Sequence, residues 1–210
     1  MSSTTAPPEK IFFGPFDVST QVFYSTKHSF ALVNIKPLMP GHVLVCPKKA
    51  YRRLTDMGAD EVLDLFASVQ VVQRMLAAYY FGEVTAREDD ANDCYKGSFN
   101  IAIQDGPEAG QTVPHVHVHI LPRIRGATAK SALTEADELY EKMAEEPGNV
   151  GGQQWDAALA AAHTSQFGDR PQPGGKFPKI EDSTREPRTM VEMEAETAAF
   201  RETINKVLGK

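Results

Sequence analysis

The sequence predicts an α+β domain, and three observations carry that expectation. They are short β-prone runs cut by Gly and Pro, one long amphipathic helix, and a strand in which histidine alternates with aliphatic residues. In the last, His115-Val116-His117-Val118-His119-Ile120-Leu121, successive side chains of an extended chain point to opposite faces. His115, His117 and His119 therefore share one face and Val116, Val118 and Ile120 the other. β-Branched partners suit a strand backed by a core, whereas a helix would scatter the imidazoles. Three imidazoles meet on one small patch.

The remaining elements follow in chain order. Residues 1–10 read as a disordered tail. Ile11 to Val18 is aromatic and broken by Gly14-Pro15, which suits an edge strand or a segment covering an apolar pocket. Gln21 to Ser25 and Phe30 to Ile35 read as a hairpin stopped at Lys36-Pro37, and His42 opens a further strand that ends at Pro47. From Asp60 to Phe81 the residues Val62, Leu65, Phe66, Val69, Val72, Leu76 and Tyr79 recur at helical spacing, with Asp60 and Glu61 at the positive N-terminal end. Residues 82–97 hold Glu83, Glu88, Asp89, Asp90 and Asp93 with little apolar patterning and read as an acidic, mobile insertion.

Ser98 to Gln104 resumes as a strand, and Asp105-Gly106-Pro107 is a turn that leads through Gly110-Gln111-Thr112 into the histidine run. Leu133 to Met143 suggests a short helix with Tyr140. Residues 144–188 shift to Gly, Pro, Gln, Asp and Lys and read as a mostly disordered linker, with a short helix near Trp155 to Ala162. Thr189-Met190-Val191-Glu192 then matches a capping box, and Met193, Phe200, Ile204 and Val207 form one apolar stripe, so a docked helix is expected over 189–208.

Composition narrows the function classes. At 210 residues the chain fits one well-cored domain, here 11–143, plus appended segments. The formal charge of −6 gives no reason to expect a nucleic-acid backbone or an anionic membrane as partner. Cys46 and Cys94 make neither a disulfide framework nor a zinc knuckle. No apolar run reaches the roughly 20 residues of a membrane span, and the start lacks signal-peptide character. A reducing interior, cytoplasmic or also nuclear, is the expected compartment.

Clustered imidazoles permit three chemistries: a zinc site activating water, transfer of a phosphoryl or nucleotidyl group to one imidazole, or a pH-sensitive structural cluster. The neighbourhood favours the second. Gln111, Thr112 and the amides around Gly110 to Val113 are uncharged donors suited to phosphate oxygens, while Phe13, Val18, Leu32 and Leu44 are apolar candidates for gripping a base. Zinc would require none of these.

The run His115 to Leu121 resembles the signature of the histidine triad family. Phe30 to Asn34, Pro40 to Pro47 and Gln104 to Val113 resemble its fragile histidine triad branch, the dinucleoside triphosphate hydrolases. The resemblance implies a five-stranded antiparallel sheet with a long helix packed on it and a C-terminal helix, pairing into a homodimer. It implies hydrolysis of diadenosine triphosphate to AMP and ADP through a nucleotidyl-histidine intermediate, the two alternatives being a nucleoside phosphoramidase and a nucleotide-liganded signalling module with slow hydrolysis. His117 would be the nucleophile, His115 and His42 would fix its tautomer and orientation, and His119 would bond phosphate or the bridging oxygen. Asn34 would hold the ribose, Gln104, Gln111, Thr112 and the amides of Gly110 and Val113 the phosphates, and Tyr140 would approach the substrate. Phe16 stands where family members can carry histidine, so its contact would be apolar or stacking. A magnesium or manganese ion would travel with the substrate phosphates, with no metal held by the protein itself.

Overall fold

In the computed structural model, residues 10–82, 97–128 and 187–210 are described. The expected tail, most of the acidic insertion, the helix carrying Tyr140, and the linker with its segment near Trp155 lie outside them. A small ribbon comes first, β1 (Phe12–Phe13) against β2 (Phe16–Asp17), turning at Gly14-Pro15. Then come β3 (Val22–Ser25), β4 (Ser29–Val33), β5 (Val43–Pro47), the long helix α1 (Ala59–Tyr80), β6 (Gly97–Ile103), β7 (Val118–Ile124) and the C-terminal helix α2 (Met190–Val207). The strands form the expected five-stranded antiparallel sheet, in the order β3-β4-β5-β7-β6.

Both faces of the sheet are covered, which is why β4 and β5 are buried along their whole length. On one side Ala31, Val33, Val43, Val45, Val118 and Ile120 pack with Leu65, Val69, Val72 and Leu76 of α1 and with Phe200 and Ile204 of α2. On the other, Phe30, Leu32, Leu44 and Cys46 pack with Phe13, Val18 and Val113, so the ribbon roofs that face. His119 pairs across the ladder with Leu44. The histidines thus belong to the ribbon side.

The ladder of β7 starts at Val118, three residues after the histidine run begins. His115 and His117 lie on an approach segment held elsewhere: Val116 donates to the Tyr51 carbonyl at 2.7 Å, and His115 donates its amide to Val113 O at 2.7 Å. The alternation survives because Val116 still enters the helix-side core while His115 and His117 meet the Phe13 ring.

In α1 the buried stripe is Leu65, Val69, Val72 and Leu76, joined by Ser68, Met75 and Ala77. Phe66 and Tyr79, counted in the expected stripe, are 40% and 46% exposed. Phe66 sits about 100° round the helix from Leu65, beyond the edge of the stripe. Helix α2 begins with the capping box: Thr189 Oγ1 accepts from the Glu192 amide at 3.3 Å, and the Glu192 carboxylate accepts from the Thr189 amide at 2.8 Å. Met193, Phe200 and Ile204 are buried, and the Phe200 ring meets Phe23 edge-on at 5.3 Å. None of the described helices is long and apolar enough to cross a membrane.

Candidate active site

His42, His115, His117 and His119 are each at most 1% exposed, so every ring nitrogen needs a partner or a reason to lack one. The partners dictate the tautomers. His115 Nδ1 accepts from the Gly14 amide at 2.9 Å, which leaves the proton on Nε2 to donate to the Pro47 carbonyl at 2.7 Å. His117 Nδ1 faces the His115 carbonyl at 2.8 Å, and a carbonyl only accepts, so Nδ1 carries the proton and Nε2 a bare lone pair. His42 Nδ1 accepts from the Leu38 amide at 3.1 Å, so its Nε2 donates to His119 Nδ1 at 2.9 Å. His119 therefore keeps its own proton on Nε2.

Two buried atoms are left without a partner in this constellation, His117 Nε2 and His119 Nε2, on rings whose centroids are 4.9 Å apart. One is a lone pair and the other an N–H. Burial pushes all three triad imidazoles below the ordinary histidine range: His115 to about 4, His117 lower than usual, and His119 well below, where the neighbouring His117 and His42 add to the effect. The imidazoles are neutral at pH 7, as an imidazole nucleophile must be.

The orienting groups differ from those expected. The group holding His117 is the backbone oxygen of His115, not the imidazoles of His115 and His42; the His115 ring is tied to Gly14 and Pro47, and His42 serves His119. The four residues expected to grip a base, Phe13, Val18, Leu32 and Leu44, form a closed cluster at most 1% exposed. Among the described residues Ile11, Phe16 and Ile35, partly buried at its margin, offer apolar surface there.

The Gly110 amide and the Gln111 side chain, both expected phosphate donors, make hydrogen bonds within the protein. The Gly110 amide closes a turn onto Pro107 O at 3.0 Å, with φ of +91°, and the Gln111 side chain donates to the Arg52 carbonyl at 3.1 Å. These bonds stitch the loop before the triad to residues 51–54, where Leu54 donates to the Asp105 carboxylate at 2.9 Å. Thr112 and Val113 are fully buried in the same loop. Gln104 lies against it, since a Cβ on Gly110 would come within 2.7 Å of Gln104 Nε2. Asn34 is also fully buried: its Oδ1 accepts from the Lys36 amide at 2.9 Å and its Nδ2 lies 3.3 Å from His42 Nδ1, so it faces the histidine pair and not an open ribose site. Tyr140 lies outside the described residues.

Among the described residues no three His, Cys, Asp or Glu side chains converge as metal ligands. Sequence reading overlooked the Gly14 and Leu38 amides and the Pro47 and His115 carbonyls, which set every tautomer. Backbone groups leave no side-chain signature, and only the turn residues Gly14 and Pro47 hinted at them.

A HIT domain model matches residues 16–126, more than half of the chain. This chain belongs to the HIT family. Among its relatives, the asymmetrical bis(5'-nucleosyl)-tetraphosphatase of Schizosaccharomyces pombe is 40% identical over 90% of this chain and 91% of its own. The bifunctional bis(5'-adenosyl)-triphosphatase/adenylylsulfatase FHIT of Arabidopsis thaliana is 42% identical over 69% of each. Of solved structures, the C. elegans NitFhit protein superposes with a TM-score of 0.54 at 28% identity, over 95% of this HIT chain and 31% of that one. The Plasmodium falciparum diadenosine triphosphate hydrolase, at 23% identity over 98% of this chain and 90% of its own, shares the fold with a TM-score of 0.56.

Proposed function

We propose that this HIT protein is a dinucleoside polyphosphate hydrolase that splits diadenosine triphosphate into AMP and ADP through an adenylyl group carried on His117. The observation that carries the reading is the pair of partnerless, buried Nε2 atoms, a lone pair beside an N–H. The His117 lone pair attacks the α-phosphorus, the P–N bond forms as the bond to the bridging oxygen breaks, and ADP leaves with that bond's electron pair. The positive charge then on the His117 ring is stabilised by its 2.8 Å bond to the His115 carbonyl. His119 Nε2–H donates a hydrogen bond to the departing oxygen. Outright proton transfer would leave an imidazolate on the His119–His42 pair, so a leaving group that departs as an anion suits this donor. Water next attacks phosphorus, the P–N pair returns to His117 Nε2, AMP leaves, and the water's proton goes to solvent.

Gln104, Gln111, Thr112 and the amides of Gly110 and Val113 are assigned to the phosphates, with Gln111 and Gly110 exchanging their present carbonyl partners. Phe16 and Ile11 are the surface for the base. A magnesium or manganese ion belongs to the substrate phosphates. A homodimer built on the outer edge of β6 and a cytoplasmic or nuclear residence complete the reading.

A tetraphosphate bridge is the second reading. The relative named a tetraphosphatase matches 90% of this chain, against 69% for the Arabidopsis triphosphatase, so its likeness extends over more of the chain. Diadenosine tetraphosphate would yield AMP and ATP by the same step. The test is mass spectrometry of enzyme quenched with each substrate: an added AMP on His117 is expected, and neither adduct nor turnover in His117→Asn. A His117→Asn variant turning over at wild-type rate would sink the assignment, and the ratio of kcat/KM values decides the bridge length.

A further inference from the structure

The C-terminal segment reaches the histidines through one arginine. We infer that Arg188 is a positioning residue for the leaving-group donor, holding the His42–His119 pair in the tautomer that points a proton at the substrate. The inference rests on the role proposed above for His119.

Arg188 precedes the capping residue of α2, 146 positions along the chain from His42, and it grips the segment after β4 at three points. Its amide donates to the Ile35 carbonyl at 2.9 Å, and its guanidinium donates to the Asn34 carbonyl through Nε at 3.1 Å and through Nη2. The remaining Nη1 pairs with Glu196, nearly two turns into α2, at 2.6 Å. Both side chains are less than one-fifth exposed, so water screens the pair weakly. The gripped segment faces His42: the Leu38 N–H donates to Nδ1 at 3.1 Å, and the Asn34 side-chain amide stands over the ring, 3.3 Å from Nδ1 and 3.4 Å from Nε2. The Leu38 N–H keeps Nδ1 bare, which forces the proton of His42 to Nε2 and the proton of His119 onto the Nε2 that faces the site.

Ile35 of the segment packs against both cores, but that contact does not fix the backbone carbonyls that Arg188 holds. The Lys36 amide closes a bond to Asn34 Oδ1, which shapes the turn from within, and among the described residues the Asn34 and Ile35 carbonyls are held from outside the segment by Arg188. If the anchor is released, the Leu38 N–H is free to drift from Nδ1, and the His42–His119 pair populates the opposite tautomer, in which His119 Nε2 is a second lone pair facing a phosphate oxygen. Repulsion then replaces donation in the step that expels the leaving group, whereas substrate binding through Gln104 and Thr112 is untouched.

The experiment uses the full chain and compares wild type with Arg188→Ala, Arg188→Lys and Glu196→Gln. Nitrogen-15 histidine spectra read the tautomers of His42 and His119, and steady-state hydrolysis of diadenosine triphosphate reads function. Wild type should show His119 protonated on Nε2. Arg188→Ala should show mixed tautomers and a kcat at least tenfold lower with KM within twofold, and Arg188→Lys should recover both in part. Glu196→Gln keeps the guanidinium bonds to Asn34 and should lose no more than threefold, so it reports on the site even where Arg188→Ala folds poorly. Unchanged tautomers in Arg188→Ala, or a loss confined to KM, would overturn the inference. A wild-type enzyme with the expected tautomers but no AMP adduct would instead count against the hydrolase reading, and the two failures are separable.

Discussion

His117 and His119 are the same residue type at the same burial, yet their inward nitrogens are opposite in polarity, because a carbonyl faces one Nδ1 and an imidazole N–H faces the other. Histidine has a proton for one nitrogen only, so the outer partner decides the inner chemistry. His119→Leu removes the donor while leaving the nucleophile and its carbonyl in place. Single-turnover formation of the AMP adduct should slow by about 10²–10³-fold, the usual scale for losing one donor aimed at developing charge, with substrate affinity changed far less. A His119→Leu enzyme adenylylated at the wild-type rate would remove His119 from the step. At this scale the alternation of the triad was legible, since period two follows from strand geometry alone. The sense of each hydrogen bond was not, because Gly14, Leu38 and Pro47 act through backbone atoms that any residue type carries.

At the scale of elements, legibility tracked periodicity and capping. Helix α1 repeats its apolar stripe over more than three turns, and α2 announces its start with Thr189 and Glu192, so both were readable within a residue or two. The ribbon of β1 and β2 is two residues a strand, too short to show a period, and it came through only as aromatic residues broken at Gly14-Pro15. Its turn is confined: at Gly14, with φ of +55°, a Cβ would stand 2.5 Å from the Val113 side chain. Helix α2 matters to the site by docking. Phe200 is fully buried, with ring contacts to Phe23 at 5.3 Å and Tyr79 at 5.1 Å. Phe200→Ala should cost about 3–5 kcal/mol of unfolding free energy, measured from urea transitions, and the loosened helix should carry Arg188 with it. A change below about 1 kcal/mol would show that α2 is not part of the cooperative unit.

The whole molecule adds two consequences. The first concerns the outer edge of β6, which pairs with no other strand among the described residues and presents Ile101 at 43% exposure. Such an edge is a template for another strand. A second copy pairing there would extend the sheet, and sedimentation should give twice the 23.1 kDa chain mass. A fully active monomer at micromolar concentration would rule that dimer out.

The second concerns acid. A buried histidine whose pKa falls on folding binds fewer protons folded than unfolded, so unfolding takes up protons and stability falls as pH drops. For His115 the window runs from 6.5, where the unfolded chain begins to protonate, to about 4, where the folded one does. Across it that residue alone withdraws about 3 kcal/mol, and His117 and His119 shift in the same direction. The carboxylates held low by hydrogen bonds, Asp17, Glu61, Glu192 and Glu202, lie at the surface and lose their contribution only as pH falls through the carboxylate range. The histidines therefore dominate between pH 6.5 and about 4.5. The urea midpoint should fall steeply from pH 7.5 to pH 5, and the steepness counts the protons taken up by the triad. Equal midpoints at the two pH values would mean that the imidazoles are already solvated in the folded state, which would remove the dry, neutral nucleophile on which the chemistry at His117 depends.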